Sequence, residues 1–214
     1  MISENIVNMY KTKPADYYAQ QMNTDSLRAA WFRKRQSLIQ ELVDKYYTGG
    51  LVLDIGCGNC LWNSKGIPTV GIDICEAMLR YNMKHIPSFR SLQADIRLGL
   101  PIKSNSVGMV VITEALEHFI NYNVIIEEIK RVLEKDGIVV VSVPYSKLPG
   151  LWGLIFPLWC LYKGWRDADQ YYSKRCGHVA GFNFKRIKSD FSKFVFLERK
   201  ALALLTMFFV ARKV

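Results

Sequence analysis

The chain has 214 residues, a hydrophobic content of 50% and a formal net charge of +10 at pH 7. This length predicts one domain, and the composition excludes a disordered chain. Five cysteines at irregular spacings do not indicate a disulfide framework, so we expect reduced thiols and a cytoplasmic protein. The longest apolar run, residues 151–162, is shorter than the roughly 20 residues that a membrane span needs.

The excess of basic residues lies near the end of the chain. Residues 146–214 hold 13 Lys/Arg and 4 Asp/Glu, whereas residues 51–145 hold 9 and 10. This asymmetry favours an anionic partner, which could be RNA, a phosphate-bearing substrate or a membrane surface. A lysine-rich solvated face without any partner is the alternative.

The pattern of apolar residues divides the chain into four consecutive segments. Residues 1–50 are predicted to be helical, with N-cap residues at 24–26. Residues 51–145 alternate short strands with helices, which is typical of a doubly wound parallel sheet. Residues 146–183 form an apolar and then basic cap, and residues 184–214 add a helix and two closing strands.

Finer boundaries follow from the same pattern. Strands are predicted at 51–53, 69–73, 91–94, 107–112 and 138–143, and the closing pair at 194–198 and 204–211 is joined through Arg199 and Lys200. Gly66 and Pro68 interrupt the segment between the first two strands, so the helix there is expected to be short.

A loop with two glycines follows the first predicted strand, in the stretch LVLDIGCGNC at residues 51–60. Glycine lets a ligand lie against the main chain, and open α/β sheets hold nucleotide-like ligands at such loops. The Gly-Lys-Ser/Thr ending of a phosphate-binding loop is missing, and Leu61 replaces the third glycine of a dinucleotide fingerprint. Asp54, Asp73 and Asp95 end the first three strands and would repel a pyrophosphate. The pattern therefore predicts a ligand with amines and a ribose diol but no phosphate.

Four sequence blocks resemble one family in order and spacing. They are LVLDIGCGNC, VGIDI, LQADIRLGLPIKSNSVGMVVITEALEH and RVLEKDGIVVVSVP, within residues 50–145. They resemble the class I S-adenosylmethionine-dependent methyltransferases, most closely the type 11 group. The resemblance implies an α/β fold with a single Rossmann-like, doubly wound, mostly parallel sheet of seven strands, the last one antiparallel. N-terminal helices and a cap after strand five complete this expected fold.

The resemblance also implies a cofactor and the residues that bind it. The cofactor would be S-adenosylmethionine, with S-adenosylhomocysteine as the product. Asp54 and the glycine loop would hold the methionine part, Asp73 the ribose hydroxyls and Asp95 the adenine amino group. The implied set comprises Asp54, Gly56, Cys57, Gly58, Asn59, Asp73, Ile74, Ala94, Asp95, Ile96, Thr113, Glu114 and Ala115, with Tyr18 closing over the cofactor. One departure is Cys60, which stands where the family has a third glycine.

Methyl transfer needs a general base only when the acceptor must lose a proton. His118, Glu114 and His178 are the candidate bases, and the sequence does not choose among them. A purely structural histidine is the alternative for His118. Cys57 and Cys60 have the spacing of a redox or zinc motif, but no second cysteine pair accompanies them, and no metal site is predicted.

The cap indicates the class of acceptor. Residues 148–166 are dense in tryptophan and other apolar side chains, and basic residues follow, as in a helix at a membrane surface. The alternative is a lid buried on the protein's own core. Both interpretations predict a small hydrophobic or lipid-linked acceptor, and the first adds peripheral contact with the inner membrane surface.

Two further functions stay open at this stage. In the first, the chain methylates RNA such as tRNA, and residues 171–175 stack on bases and contact phosphates. In the second, the chain binds the cofactor without catalysis and acts as a partner protein. The sequence predicts no oligomeric state.

Overall fold

A computed structural model describes residues 4–167 and 175–214. Helices of the described part are α1 (Glu4–Lys11), α2 (Tyr17–Gln20), α3 (Leu27–Tyr46), α4 (Glu76–His85), α5 (Tyr122–Val132), α6 (Trp152–Asp167) and α7 (Phe184–Asp190). Its strands are β1 (Val52–Ile55), β2 (Thr69–Asp73), β3 (Phe89–Gln93), β4 (Val107–Thr113), β5 (Leu133–Pro144), β6 (Phe194–Leu202) and β7 (Thr206–Lys213).

The strands form one seven-stranded sheet in the order β3-β2-β1-β4-β5-β7-β6. The five strands from β3 to β5 in this order run parallel to one another, and β7 is antiparallel to both β5 and β6. The chain reverses its direction of strand addition at β1 and β4, where open α/β sheets bind their ligands. The predicted Rossmann-like fold with an antiparallel last strand is confirmed.

Alternate side chains of the central strands serve two separate cores. In β4, Val110 and Ile112 pack with α5 and α7 on one face of the sheet. Met109 and Val111 pack with α3 on the other face. A strand that is buried on both faces in this way is continuously apolar, which is why the sequence shows no polar alternation there.

The connection between β1 and β2 contains no helix, so the short helix expected there is corrected. Side-chain hydrogen bonds replace helical ones: Asn63 accepts from the Ile67 amide at 2.7 Å and donates to the Ile67 carbonyl at 2.8 Å. Trp62 fills the space with 2% exposure. The face of the sheet that a crossover helix would cover is covered by α3, which the N-terminal segment supplies.

Helix α3 begins where the sequence predicts a cap. Ser26 has extended backbone angles, and its hydroxyl accepts a hydrogen bond from the Ala29 amide at 3.1 Å. This bond satisfies one of the free amides of the first helical turn. The helix then continues for 20 residues to Tyr46, just before the Gly49–Gly50 turn.

Several predicted strand boundaries are corrected. Arg199 and Lys200 do not form a turn but lie within β6, paired with Phe209 and Phe208 of β7. The turn is instead at Ala203 and Leu204, which both have positive φ angles. Strong pairing along the whole hairpin prevails over the polarity of the two basic residues, which point to opposite faces of β6. Arg199 is exposed, and Lys200 forms an ion pair with Glu41 of α3 at 2.6 Å. Strands β1 and β5 are also longer than predicted, and β3 begins earlier.

The first half of the cap is α6, which contains Pro157. The predicted basic polar stretch, residues 166–178, follows, and its residues 168–174 lie outside the described residues. Within the described residues, no helix combines the length and apolar character needed to cross a bilayer.

Gly71 in β2 gives a test of the packing beside the ligand-binding edge. A Cβ there would meet the Phe89 ring at 2.1 Å and the Cys57 sulfur at 2.7 Å. We expect Gly71→Ala to lower the free energy of unfolding by about 1–3 kcal/mol, because a packed core cannot absorb an extra methyl group. Urea denaturation followed by circular dichroism measures this.

Gly108 in the neighbouring strand β4 is the matched control. A Cβ there would approach nothing nearer than the Glu134 carboxylate at 3.9 Å. Gly108→Ala should leave stability unchanged or slightly higher. Equal destabilisation by both substitutions would contradict the packing described for Gly71.

Candidate active site

Loops after β1, β2, β3 and β4 converge on a cavity of about 190 Å³ at the carboxyl edge of the sheet. Helices α1 and α3 close its other side with Tyr10, Phe32 and Arg35. All of the predicted cofactor-binding residues except Asp54 line this cavity: Tyr18, Gly56, Cys57, Gly58, Asn59, Asp73, Ile74, Ala94, Asp95, Ile96, Thr113, Glu114 and Ala115. The structure therefore brings together residues that the sequence spreads over almost 100 positions.

The glycine loop is shaped by three residues with positive φ angles. Gly56 has φ +66°, and a Cβ there would lie 3.1 Å from Ala115. Gly58 has φ +49°, and a Cβ there would lie 3.2 Å from the Tyr18 ring. Cys60, which replaces a glycine of the family pattern, also has a positive φ of 46°. The loop thus keeps the backbone shape that glycine favours, although a cysteine occupies its third position.

Asp73 joins the ends of β1 and β2. Its Oδ2 accepts a hydrogen bond from the Gly58 amide, and its Oδ1 accepts one from the Cys75 amide, both at 2.8 Å. Burial raises the pKa of this carboxyl, and the two amide donors oppose the rise. Each oxygen retains a free lone-pair site, so the carboxylate can also accept hydrogen bonds from ligand hydroxyls.

Asp95 follows β3 and caps a short 3₁₀ turn at Ile96–Leu98, accepting from the Arg97 amide at 3.1 Å. The Arg97 guanidinium forms an ion pair with the same carboxylate, and this hydrogen-bonded pair lowers the pKa of Asp95. The sequence analysis did not anticipate Arg97, since a residue two positions beyond the strand end gives no periodic signal.

Asp54 does not line the cavity, although the resemblance implies that it contacts the cofactor. It lies within β1 and is 1% exposed, and its Oδ2 accepts a hydrogen bond from the Trp62 indole at 2.8 Å. The strand continues one residue further than predicted, to Ile55, so the aspartate stays in the sheet. Asp54 therefore supports the loop from below through Trp62.

Asn59 has a role that differs from ligand contact alone. Its side chain accepts from the Tyr18 amide at 3.0 Å and donates to the Ala15 carbonyl at 2.6 Å. These two bonds fasten the N-terminal segment over the glycine loop. The placement of Tyr18 above the cavity follows from this tether.

Glu114 lies at the end of β4 with a positive φ of 51°. Its carboxylate pairs with Arg35 of α3 at 3.1 Å and accepts from the Ser142 hydroxyl at 3.0 Å. Burial raises the pKa of Glu114, and the Arg35 guanidinium opposes the rise. Arg35 was missed by the sequence analysis; its signal was an arginine on the otherwise buried face of α3.

His118 and His178 meet although 60 positions separate them. Their rings lie edge to face with centroids 4.9 Å apart, and the Tyr10 hydroxyl lies 3.3 Å from His118 Nε2. Burial lowers the pKa of His118 to about 4 and also lowers that of His178. Both imidazoles are therefore neutral at pH 7.

A second cavity of about 400 Å³ adjoins the first. Its wall is mostly aromatic: Trp31 of α3 stacks on Trp152 of α6 at 5.9 Å, and Trp152 stacks on Phe156 at 4.7 Å. Tyr10, Tyr18, Phe32, Arg35, Glu114 and His118 line both cavities. The two spaces consequently share one wall, which contains two of the three candidate bases, while His178 lies in the second cavity alone.

Comparison with known proteins agrees with this arrangement. Residues 53–141 match the family model described as a methyltransferase domain. Over these residues the chain is similar to methyltransferase domains. The match begins inside β1 and ends inside β5, so the matched region contains the four loops that build the first cavity.

Individual relatives extend the comparison. The chain is 38% identical over 96 residues to an uncharacterized protein of Methanocaldococcus jannaschii, which covers 44% of this chain and 40% of that one. It is 29% identical over 118 residues to a protein of Mycobacterium tuberculosis named a probable S-adenosylmethionine-dependent methyltransferase, covering 53% and 42%. The alignments thus span less than half of the length of these relatives.

A solved structure shows that the fold is shared beyond the core. A Bordetella parapertussis protein superposes with a TM-score of 0.72 and 13% identity, covering 99% of this chain and 84% of that one. The fold shared with this protein therefore includes the N-terminal helices and the segment after β5, at an identity that carries information about the fold alone.

Asp54 generates a prediction about pH. Burial raises its pKa from 3.8 to about 7, so between these values the folded state holds a proton that the unfolded state has released. Its contribution to stability is present below pH 4 and is lost as pH rises through 7. We expect Asp54→Asn to flatten the fall in stability between pH 5 and pH 7 by up to about 1.4 kcal/mol per pH unit.

Urea denaturation of both proteins at several pH values measures this difference. Asp73, Glu114 and Glu117 have pKa values raised in the same direction, so the variant should keep part of the slope. Identical slopes for the two proteins would show that Asp54 is ionised in the folded state.

Proposed function

We propose that this chain transfers the methyl group of S-adenosylmethionine to a small, predominantly apolar acceptor. The observation that carries the proposal is the pair of adjoining cavities. One is built by the methyltransferase-domain loops and the other by aromatic side chains, and they share the wall that contains Glu114 and His118. A donor and an acceptor that meet where these two cavities adjoin can react in line.

The residues of the first cavity fit the cofactor. Gly56 and Gly58 leave a cradle that side chains would fill, and Asp73 at the end of β2 presents a buried carboxylate for two ribose hydroxyls. Asp95 remains beside the site for the adenine ring. The basic residues at this wall, Arg35 and Arg97, are each paired with a carboxylate, so they do not make a phosphate site.

The bound cofactor would supply a methyl group already activated by its sulfonium, and S-adenosylhomocysteine would leave as the product. The chain's own residues would align the acceptor and exclude water, as Tyr18 and the N-terminal segment are placed to do. An acceptor hydroxyl or amine also has to lose a proton at the shared wall. Glu114 is held by Arg35 and Ser142. The neutral imidazoles of His118 and His178 are therefore better candidates for accepting that proton.

The second cavity supports an apolar acceptor with a polar group. Its hydrophobic lining includes Trp31, Trp152, Ile155, Phe156 and Trp159. The indole N–H groups of Trp31 and Trp152 are buried, and neither finds a hydrogen-bond partner within the described residues. Because an unpaired buried donor is costly, an acceptor oxygen would gain by accepting from it.

The RNA alternative receives less support. Three basic residues of the last third are paired with carboxylates: Lys200 with Glu41 at 2.6 Å, Lys193 with Glu127 at 2.7 Å and Arg186 with Asp190 at 3.7 Å. Residues 171–174 of the predicted base-stacking segment lie outside the described residues. The non-catalytic alternative would leave the aromatic cavity without a role.

Helix α6 also supports peripheral contact with a membrane surface. Leu154, Leu158, Leu161 and Trp165 are 61%, 69%, 71% and 82% exposed, and their spacing places them along one stripe of the helix. The opposite side carries Trp152 and Phe156 into the cavity. One helix would thus contact lipid and acceptor together, which suits an acceptor that partitions into the bilayer.

Cofactor binding is tested by Asp73→Asn. The amide keeps the shape but replaces one acceptor oxygen with a donor, so we expect the affinity for S-adenosylhomocysteine to fall by roughly tenfold or more. Isothermal titration calorimetry measures the affinity. Glu76→Gln, an exposed change three residues further along, is the control and should bind like the original chain. Absence of binding by the original chain would overturn the proposed function.

Membrane contact is tested by Leu158→Glu and Trp165→Glu with vesicles that contain anionic lipid. We expect the original chain to co-sediment and both variants to lose most of that binding, because each places a charge on the exposed apolar stripe. Val124→Glu changes an exposed apolar residue on α5 and is the control. Co-sedimentation that survives the α6 changes would contradict a contact through this face.

A further inference from the structure

Three potential metal ligands meet where the two cavities adjoin. One carboxylate oxygen of Glu117 and one ring nitrogen each of His118 and His178 all lie within 4.8 Å of one another. His118 lines both cavities, and Glu117 and His178 line the second. The cluster therefore faces the space in which an acceptor would react.

The backbone holds these residues in place independently of their side chains. A 3₁₀ turn at Leu116–His118 follows β4 and presents Glu117 and His118 in succession. The Glu117 carbonyl accepts hydrogen bonds from the Val179 and Ala180 amides at 2.8 and 3.0 Å. This pairing brings His178 beside the turn, although the cap comes from a distant part of the chain.

Two polar atoms of the cluster are buried and unsatisfied. Within the described residues, neither Glu117 Oε2 nor His118 Nδ1 has a hydrogen-bond partner. The Glu117 side chain is 1% exposed and that of His118 is 15% exposed, so bulk water does not solvate them. A buried polar atom without a partner costs free energy, and a bound ion would offset that cost.

The local charge balance also favours a cation. Glu114 and Glu117 place two carboxyl groups three residues apart in the buried wall, and Arg35 pairs with Glu114 at 3.1 Å. In the part of the chain that the structure describes, the one basic group within 4 Å of the Glu117 carboxylate is His118, at 4.0 Å. A buried carboxylate is normally paired or coordinates a metal.

We propose that Glu117, His118 and His178 bind a divalent cation of the first transition row in the wall between the two cavities. One carboxylate oxygen and two imidazole nitrogens are ligands that suit such ions better than Mg²⁺, which prefers an all-oxygen shell. Ligands of a shared ion lie about 3.0–3.4 Å apart, so the separations of up to 4.8 Å between the three ligand atoms would shorten by up to about 1.4–1.8 Å.

Three protein ligands leave coordination positions open toward the second cavity. In a step that rests on the proposed function, an acceptor oxygen occupies one of them. A bound ion would lower the pKa of an acceptor hydroxyl, as metal ions do for bound water. The hydroxyl would release its proton to solvent, and its oxygen would attack the methyl group as S-adenosylhomocysteine leaves. In this proposal His118 and His178 are metal ligands. The acceptor would then be an apolar molecule that carries a metal-binding oxygen.

The test is metal binding by the chelator-treated protein, with Mn²⁺, Zn²⁺ and Mg²⁺ as probes. We expect one Mn²⁺ or Zn²⁺ per chain by elemental analysis after gel filtration, and weaker retention of Mg²⁺. His178→Ala and the near-isosteric Glu117→Gln should each weaken Mn²⁺ binding by roughly tenfold or more. His85→Ala is the matched control, because it removes the remaining histidine, which stacks on Tyr81 of α4.

Pulsed EPR of Mn²⁺ bound to the unaltered chain gives an answer that does not depend on the folding of any variant. Nitrogen couplings from imidazole support the proposal, and their absence overturns it. Failure of the unaltered chain to retain any ion also overturns the proposal. So does Mn²⁺ retention by the Glu117→Gln and His178→Ala variants that equals retention by the unaltered chain. Calorimetry with S-adenosylhomocysteine on the metal-free protein separates the two proposals. If the protein binds S-adenosylhomocysteine but no metal ion, the metal site is overturned and the proposed function is not.

Discussion

The hydrogen bond from the Gly58 amide to the Asp73 carboxylate is the contact on which the site depends. It joins the loop after β1 to the end of β2 at 2.8 Å and so fixes the glycine loop relative to the sheet. Asn59, the next residue of that loop, holds the N-terminal segment through the Tyr18 amide and the Ala15 carbonyl. One buried carboxylate therefore positions both the floor and the lid of the first cavity.

The absence of a helix between β1 and β2 shapes the other side of the site. Because α3 covers that face of the sheet, side chains of α3 reach the wall of both cavities. Arg35 pairs with Glu114 there, and Phe32 packs beside it. A short connection within the core has thus made the N-terminal segment part of the binding site.

The cap contributes to the site through its contact with the turn that follows β4. Helix α6 supplies aromatic side chains to the second cavity, and the segment that follows returns His178 to the side of His118. The same helix leaves an apolar stripe exposed on its far side. The sequence allows two interpretations of the cap, a lid on the protein and a contact with a membrane surface. Each interpretation corresponds to a different face of α6.

The sequence by itself determined the sheet, its parallel order and most of the first cavity. Strand ends in an open α/β sheet meet at one edge, so Asp73, Asp95 and the glycine loop could be placed together from their positions alone. The position of Asp54 inside β1 was not predicted, because a strand boundary cannot be fixed to one residue from apolar periodicity. Only the tertiary structure decided the pairing of Arg35 with Glu114 and the meeting of Glu117, His118 and His178. These contacts join segments up to 79 positions apart, and no local pattern encodes which distant side chains a buried carboxylate will find.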